Sequence, residues 1–196
     1  MDTSTCLLAV RSGVRAKCRS ASQGFTLIEL LITLTLIGIL ASISFQVSAA
    51  IHNSRLITTA NALVTTLALA RSETLKRQVP VSVCKSADGM QCSSSASWND
   101  GWIVFADVNH DGFVGPDDTI VWIDHGGGSA TRVVYRGFGS TRYITYLPSG
   151  FTNSQNGTFY ICDHRGTGYT REVVLYKTGR VRAVGQSTAE RARNCS

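Results

Sequence analysis

The chain has 196 residues, of which 43% are hydrophobic and 16% charged, with a formal net charge of +6. That length leaves room for one globular domain of roughly 100–120 residues beside a long helix. The charge is distributed unevenly, since residues 171–196 contain six basic and only two acidic side chains. Such an asymmetry indicates an anionic partner at the C-terminal end.

The first element is an apolar run over residues 25–51, in which Glu29 is the single charged residue and proline is absent. About 20 apolar residues cross the hydrocarbon core of a bilayer, so the run predicts a membrane-spanning helix. Four basic residues precede it. Positive charge on this flank predicts a cytoplasmic N-terminus, so the rest of the chain is expected to lie on the other side of the membrane. An unpaired carboxylate in the run costs roughly 3 kcal/mol or more. Glu29 is therefore expected to meet a cation outside its own chain.

Residues 24–29, with the sequence GFTLIE, resemble the processing site of type IV pilins and type II secretion pseudopilins. The resemblance implies that a prepilin peptidase cuts between Gly24 and Phe25 and methylates Phe25. It also implies that Glu29 pairs with the N-terminal amine of a neighbouring filament subunit, where opposite charges neutralise each other. The alternative is an ordinary signal anchor. The leader, residues 1–24, holds four of the 19 basic and one of the 13 acidic residues, so the mature chain has a net charge of +3.

Apolar residues continue at steps of three to five over residues 52–77, which predicts an amphipathic helix ending near Arg77, before Pro80. Its apolar stripe must pack on the C-terminal domain. The sequence thus divides into a leader (1–24), a transmembrane or filament-core half of the helix (25–51), an amphipathic half (52–77) and a β-rich head with a basic tail (78–196).

After Pro80 the pattern changes to short alternating runs that predict strands. The predicted strands cover residues 81–84, 102–106, 119–124, 132–135, 142–147, 158–162, 172–176 and 181–184. A long N-terminal helix packed on an antiparallel sheet is an α+β fold.

Four cysteines remain after the leader is removed, because Cys6 and Cys18 lie within it. An even number in an exported domain indicates two disulfides, for which three connectivities exist. Cys84–Cys92 with Cys162–Cys195 is favoured, because the first pair is close in sequence and flanks a turn-rich loop. The alternative is a zinc site, but no CxxC pair is present and the spacings are wrong.

Residues 107–118, with the sequence DVNHDGFVGPDD, match the spacing of a calcium loop. The candidate ligands are Asp107, Asn109, Asp111, the Phe113 carbonyl and Asp118. The twelfth residue is Asp in place of the usual Glu, and strands flank the loop, so it is not an EF-hand. The alternative is a polar hairpin loop in which Asn, Asp and Gly serve the turn.

Four further segments resemble the GspH/FimT branch of the pilin superfamily, which contains minor pilins and the minor pseudopilin of type II secretion. They are WNDGWIVF at 98–105, DVNHDG at 107–112, LPSG at 147–150 and VVLYKTGRVR at 173–182.

Within the last segment, residues 179–182 (GRVR) resemble the Gly-Arg-x-Arg element of FimT-type minor pilins, which bind DNA for uptake in natural transformation. The resemblance implies that Arg180 and Arg182 contact DNA. Residues two apart in a strand point to the same side, so both guanidinium groups can engage successive phosphates. Lys177, Arg191 and Arg193 add positive charge. The alternative is that the arginines pair with acidic residues of neighbouring subunits.

Motifs of enzymes are absent from the sequence, including HExxH, GxSxG, a Walker loop and GxGxxG. We therefore expect a protein that is not an enzyme and has no cofactor, calcium aside. The expected function is a FimT-like minor type IV pilin that is cut by prepilin peptidase, joins other pilins and binds DNA non-specifically.

The alternatives are a minor pilin for pilus initiation without DNA binding, and a GspH-type minor pseudopilin of type II secretion. The expected location is the inner membrane, with a single span and the head in the periplasm, and then the pilus at the cell surface.

Overall fold

The structure is a computed structural model that describes residues 24–128, 131–166, 169–186 and 195, with the side chains of 43–47 and 186 outside the description. The described residues form one helix, α1 (Leu27–Arg77), and eight strands. The strands are β1 (Val81–Lys85), β2 (Trp102–Ala106), β3 (Thr119–Asp124), β4 (Arg132–Phe138), β5 (Tyr143–Tyr146), β6 (Asn156–Cys162), β7 (Arg171–Leu175) and β8 (Val181–Gln186). Contacts divide the chain into two compact units, with the boundary between Ile43 and Ser44.

In the N-terminal unit, Thr26 caps the start of α1. Its hydroxyl accepts a hydrogen bond from the Glu29 backbone N–H at 3.3 Å, and Glu29 lies in the first turn, where a carboxylate interacts favourably with the helix dipole. All side chains of residues 24–42 are exposed.

The membrane-spanning helix that the sequence predicts over residues 25–51 is not confirmed. Among the described residues, no helix combines the length and the apolar composition needed to cross a membrane. The side chains of residues 43–47, which belong to the predicted run, lie outside the description.

In the C-terminal unit, α1 is amphipathic as predicted. A stripe at helical spacing is buried, and its members are Leu56, Ala60, Leu63, Leu67 and Ala70. Ile57 and Leu75, two further apolar residues of this segment, are exposed because they lie on the flanks of this spacing. The helix ends at Arg77, and Gln78 follows with a φ of 58° while its N–H donates to the Thr74 carbonyl at 2.9 Å.

The strands form two antiparallel four-stranded sheets, with the orders β3-β2-β1-β5 and β4-β6-β7-β8. One hydrophobic core joins the helix stripe to the inner faces of both sheets. Trp102 is fully buried in this core, and its indole N–H donates to the Thr66 hydroxyl of α1 at 3.0 Å. The predicted α+β arrangement of a helix packed on antiparallel strands is therefore confirmed.

Candidate nucleic-acid interface

The predicted Gly-Arg-x-Arg element lies where β7 turns into β8. The Gly179 N–H donates to the Tyr176 carbonyl at 2.8 Å, and the Tyr176 N–H donates to the Arg180 carbonyl at 2.9 Å. These bonds close a tight hairpin from Tyr176 to Arg180. Lys177 lies exposed in the turn, and its carbonyl accepts hydrogen bonds at 3.1 Å from both the N–H and the hydroxyl of Thr152.

Gly179 is buried at a contact between two motifs that the sequence singled out. Its φ is 77°, and a Cβ at this position would collide with the carbonyl oxygen of Gly150 in the Leu-Pro-Ser-Gly segment. Gly150 in turn lies against α1, since a Cβ there would be 3.4 Å from the Arg71 Nε. Gly179 therefore lets the turn pack closely on Gly150 and, through it, on α1. The arginines that follow Gly179 begin from this packed turn.

Arg180 and Arg182 are exposed at the edge of the second sheet. Arg182 lies opposite Val174 in the β7–β8 register, and Arg180 precedes Val181, the first residue of β8. Residues two apart on a strand are separated by about 6.8 Å and point to the same side. Within the described ranges, neither arginine nor Lys177 forms an ion pair with an acidic residue.

Arg191 and Arg193, the other basic residues assigned to DNA, lie outside the described residues. Cys195 is described, and it forms a disulfide with Cys162 at the end of β6. The second disulfide joins Cys84 and Cys92. These are the pairs that the sequence favours, and Cys162–Cys195 connects the end of the basic tail to the same sheet as the two arginines.

Two exposed residues of this second sheet, Arg136 and Phe138, were not identified from the sequence. Arg136 and Phe138 lie on β4, which continues three residues beyond the predicted end at Tyr135. Gly137 interrupts the alternation that predicts a strand, whereas in the structure it pairs with Gly157 of β6. A Cβ at Gly137 would collide with the backbone oxygen of Asn156, so the glycine permits this close pairing.

The predicted calcium loop is organised around its own backbone. Asp107 is buried, and its two carboxylate oxygens accept hydrogen bonds from the backbone N–H groups of Asp111 (3.1 Å) and Gly112 (3.0 Å). The same carboxylate accepts a hydrogen bond from the Ser82 hydroxyl at 2.6 Å. Asp107 therefore stabilises the turn and anchors it to β1.

The remaining polar residues of the loop have similar roles. The Asp118 carboxylate accepts the N–H groups of Val108 and Gly115, and the Asp111 carboxylate accepts the Phe113 N–H at 2.8 Å and the Asn109 amide at 2.8 Å. In the part of the chain that the structure describes, no group of three or more acidic, histidine or cysteine side chains is arranged to hold a metal ion. These hydrogen bonds are the ones expected of a polar turn, and calcium binding by the same oxygens stays a prediction.

At the other end of the chain, Gly24 and Phe25 are exposed, with 78% of the Phe25 side chain accessible. The proposed cut between them lies just before the Thr26 cap of α1. Glu29 has a local role in this helix start, and its predicted pairing with another subunit stays a prediction.

A long N-terminal helix packed on antiparallel sheets, preceded by a methylation-type processing site, defines a pilin-like subunit. Residues 59–179 match the family model of the type II transport protein GspH, and residues 19–45 match the prokaryotic N-terminal methylation motif. The chain therefore belongs to the GspH family within the type IV pilin and pseudopilin superfamily. Its members are structural proteins and not enzymes, and they need no cofactor. The methylation motif implies processing by prepilin peptidase and assembly with other pilins.

Solved structures with a similar fold include the type IV minor pilin FimU of Pseudomonas aeruginosa PAO1, with 19% identity and a TM-score of 0.53. That match covers 70% of this chain and 91% of FimU. The minor pseudopilin EpsH from the type 2 secretion system of Vibrio cholerae has 11% identity and a TM-score of 0.48, covering 66% of this chain and 96% of EpsH. No curated protein matches the sequence. The GspH match ends at Gly179, so the matched range does not include Arg180 and Arg182.

Proposed function

We propose that this chain is a FimT-like minor type IV pilin whose head binds DNA for uptake in natural transformation. The observation that carries the proposal is the exposed pair Arg180 and Arg182 at the start of the edge strand β8, free of ion pairs with the acidic residues that the structure describes. Their separation of about 6.8 Å suits successive phosphates of a nucleic acid backbone.

Binding of this kind is electrostatic and independent of base sequence. Lys177 in the adjacent turn adds a third exposed cation, and the sequence has two further arginines, Arg191 and Arg193, shortly before Cys195. Each subunit binds weakly, and affinity falls steeply with salt because bound counterions are released from the DNA.

Before assembly, residues 25–51 anchor the chain in the inner membrane with a single span, and the head lies in the periplasm. Two observations support this: the four basic residues that precede the apolar run, and the exposure of the large apolar side chains between Leu27 and Leu40. After cleavage at Gly24, the same segment enters the filament core, where Glu29 pairs with a neighbouring N-terminal amine.

The test is a mobility shift of duplex DNA with the full chain purified in non-ionic detergent. Arg180→Ala with Arg182→Ala removes two phosphate contacts, so we expect weaker binding and a salt dependence shallower by about 1.8 in log–log slope. The matched control is Arg55→Ala with Arg142→Ala, which removes the same charge from exposed positions away from β8.

Equal losses in the two double variants would show that net charge, and not this strand, determines binding. Wild-type chain that leaves DNA unshifted at low salt would contradict the DNA-binding function and favour a purely structural role in pilus initiation.

The second candidate is a GspH-type minor pseudopilin of type II secretion. It is favoured by the family match, whose description names type II transport. Arg180 and Arg182 would then pair with acidic residues of neighbouring subunits. Deleting the gene distinguishes the two roles, because loss of secreted proteins supports the pseudopilin and loss of transformation supports the pilin.

A further inference from the structure

The register of the second sheet places further groups beside Arg180 and Arg182. Arg136 pairs with Thr158, Thr158 with Val174, and Val174 with Arg182, so these four residues form one row across the sheet. Adjacent strands are about 4.8 Å apart, which puts Arg136 and Arg182 about 14 Å from each other at opposite edges.

The neighbouring row contains exposed aromatic rings. Phe138 pairs with Asn156, and continuing the β6–β7 register by one residue brings Asn156 opposite Tyr176, whose N–H is bonded to Arg180. Both rows lie on one side of the sheet, because residues in register share a face and residues two apart do as well. We call this surface the outer face, defined by Arg136, Phe138, Tyr160, Tyr176, Arg180 and Arg182.

The rings of the outer face are accessible. Phe138 is 71% exposed and Tyr176 is 43% exposed, while their inner-face neighbours Tyr135 and Leu175 are buried in the core. Among the described residues, neither Phe138 nor Tyr176 contacts another ring or a cation. Glu172 lies on the same face, but its side chain is buried. Exposed rings grouped with exposed arginines on one sheet surface indicate an interaction site.

This composition suits a particular class of nucleic acid. Guanidinium groups contact phosphates in single strands and in duplexes alike, whereas aromatic rings need an unpaired base on which to stack. Bases of a duplex are already stacked on their neighbours, so Phe138 and Tyr176 have nothing to bind there.

We infer that the outer face is a binding platform for single-stranded nucleic acid, with bases on Phe138 and Tyr176 and phosphates on Arg180 and Arg182. This inference rests on the proposed function and specifies its ligand. The face binds a single strand more tightly than a duplex of the same length, with little dependence on base sequence.

The test compares fluorescence anisotropy of labelled oligo(dT) with that of a duplex of equal length, using the full chain in detergent. Phe138→Ala with Tyr176→Ala is expected to weaken oligo(dT) binding roughly tenfold per ring and to change duplex binding less than twofold. The salt dependence stays the same because both arginines remain. Trp122→Ala is the matched control, since Trp122 is 49% exposed on β3 of the other sheet.

A second measurement does not depend on substitution. Ultraviolet irradiation of the complex with oligo(dT) is expected to cross-link thymine to Phe138 or Tyr176, identified by mass spectrometry, and a duplex is expected to leave both residues unmodified.

The outcomes separate this inference from the proposed function. Wild-type chain that binds duplex as tightly as oligo(dT), or a ring variant that weakens both equally, overturns the platform and leaves DNA binding intact. Wild-type chain that binds neither overturns the proposed function. A ring variant that binds oligo(dT) normally but no longer co-purifies with other pilins makes the outer face a subunit interface, and this also overturns the platform.

Discussion

Gly179 lies in the turn before Arg180 with a φ of 77°, a conformation that residues with a side chain rarely adopt. Its neighbour across the contact is the carbonyl of Gly150. The glycine of the Gly-Arg-x-Arg element thus has a structural role that is separate from the charge of its arginines.

We therefore predict that Gly179→Ala lowers the free energy of unfolding by roughly 2 kcal/mol, through an unfavourable φ and a collision. Urea unfolding measures the change. Gly128→Ala is the control, because Gly128 has a φ of 62° and open space around its Cβ position. The collision with Gly150 accounts for the difference between the two variants, and equal losses would contradict it.

Tyr135 is buried in the core, and its hydroxyl has no hydrogen-bond partner among the described residues. Burial raises the pKa of Tyr135 to about 12, because the phenolate is poorly solvated there. Burial also raises the pKa of Tyr146. Above pH 10 the unfolded chain releases these protons while the folded chain keeps them, so stability falls as the pH rises from about 10 to 12.

Tyr135→Phe removes the unpaired hydroxyl, and we expect it to raise the free energy of unfolding by about 1 kcal/mol at neutral pH. It should also reduce, but not abolish, the alkaline loss of stability, since Tyr146 remains. Thermal melts between pH 7 and 12 measure both effects. Tyr176→Phe, at an exposed ring, should change neither, and a destabilised Tyr135→Phe would mean that the hydroxyl does have a partner.

At the scale of elements, the sequence identifies α1 and all eight strands, because their apolar periodicities differ clearly. Its main error is β4, where Gly137 ends the alternation although the strand continues to Phe138. Two glycines facing each other across strands are visible only once the pairing of β4 with β6 is known. Because of that error, the sequence did not identify Arg136 and Phe138, two of the six residues of the outer face.

The division of the strands into two sheets could not be predicted from the sequence either. It depends on β1 pairing with β5 and not with β4, a long-range choice that short-range periodicity does not encode.

In the loop of residues 107–118, the spacing of Asp and Asn fits calcium and a turn equally well. The backbone hydrogen bonds that the Asp107 carboxylate accepts show the turn, and they become visible only in the fold.

The two disulfides close loops of different length and should differ in their contribution to stability. Cys84–Cys92 spans 8 residues and Cys162–Cys195 spans 33. From the lost entropy of the unfolded chain, we expect about 2.5 kcal/mol for the first and about 3.7 kcal/mol for the second. Urea unfolding of the two paired Cys→Ala variants, each compared with the wild type, measures this difference. A larger loss for the short loop would indicate that strain or residual structure dominates.

For the whole molecule, the central question is how Glu29 acts in assembly. Its carboxylate lies in the first turn of α1, where it also favours the helix start. Glu29→Gln keeps the side-chain length and the capping pattern but removes the charge. We predict that the variant folds and is cleaved normally yet is lost from purified filaments, because the N-terminal amine of its neighbour has no counter-charge.

Thr26→Ala is the complementary control, since it removes the cap and keeps the carboxylate. Immunoblots of sheared filaments measure incorporation, and cleavage is followed by the mass of the chain. Normal incorporation of Glu29→Gln would assign Glu29 to the helix start alone.

The Cys162–Cys195 disulfide also determines how the head responds to mechanical force. If DNA is pulled, tension enters through Arg180 and Arg182 at the start of β8, which among the described strands has a neighbour on one side only. A strand at such an edge can be peeled away one hydrogen bond at a time. The disulfide makes β7, β8 and the tail part of a covalent ring that returns to β6, so peeling cannot extend the chain beyond the length of that ring. The segment between β8 and Cys195 therefore cannot be drawn further from β6 than the ring allows, even after the hydrogen bonds of β8 are broken.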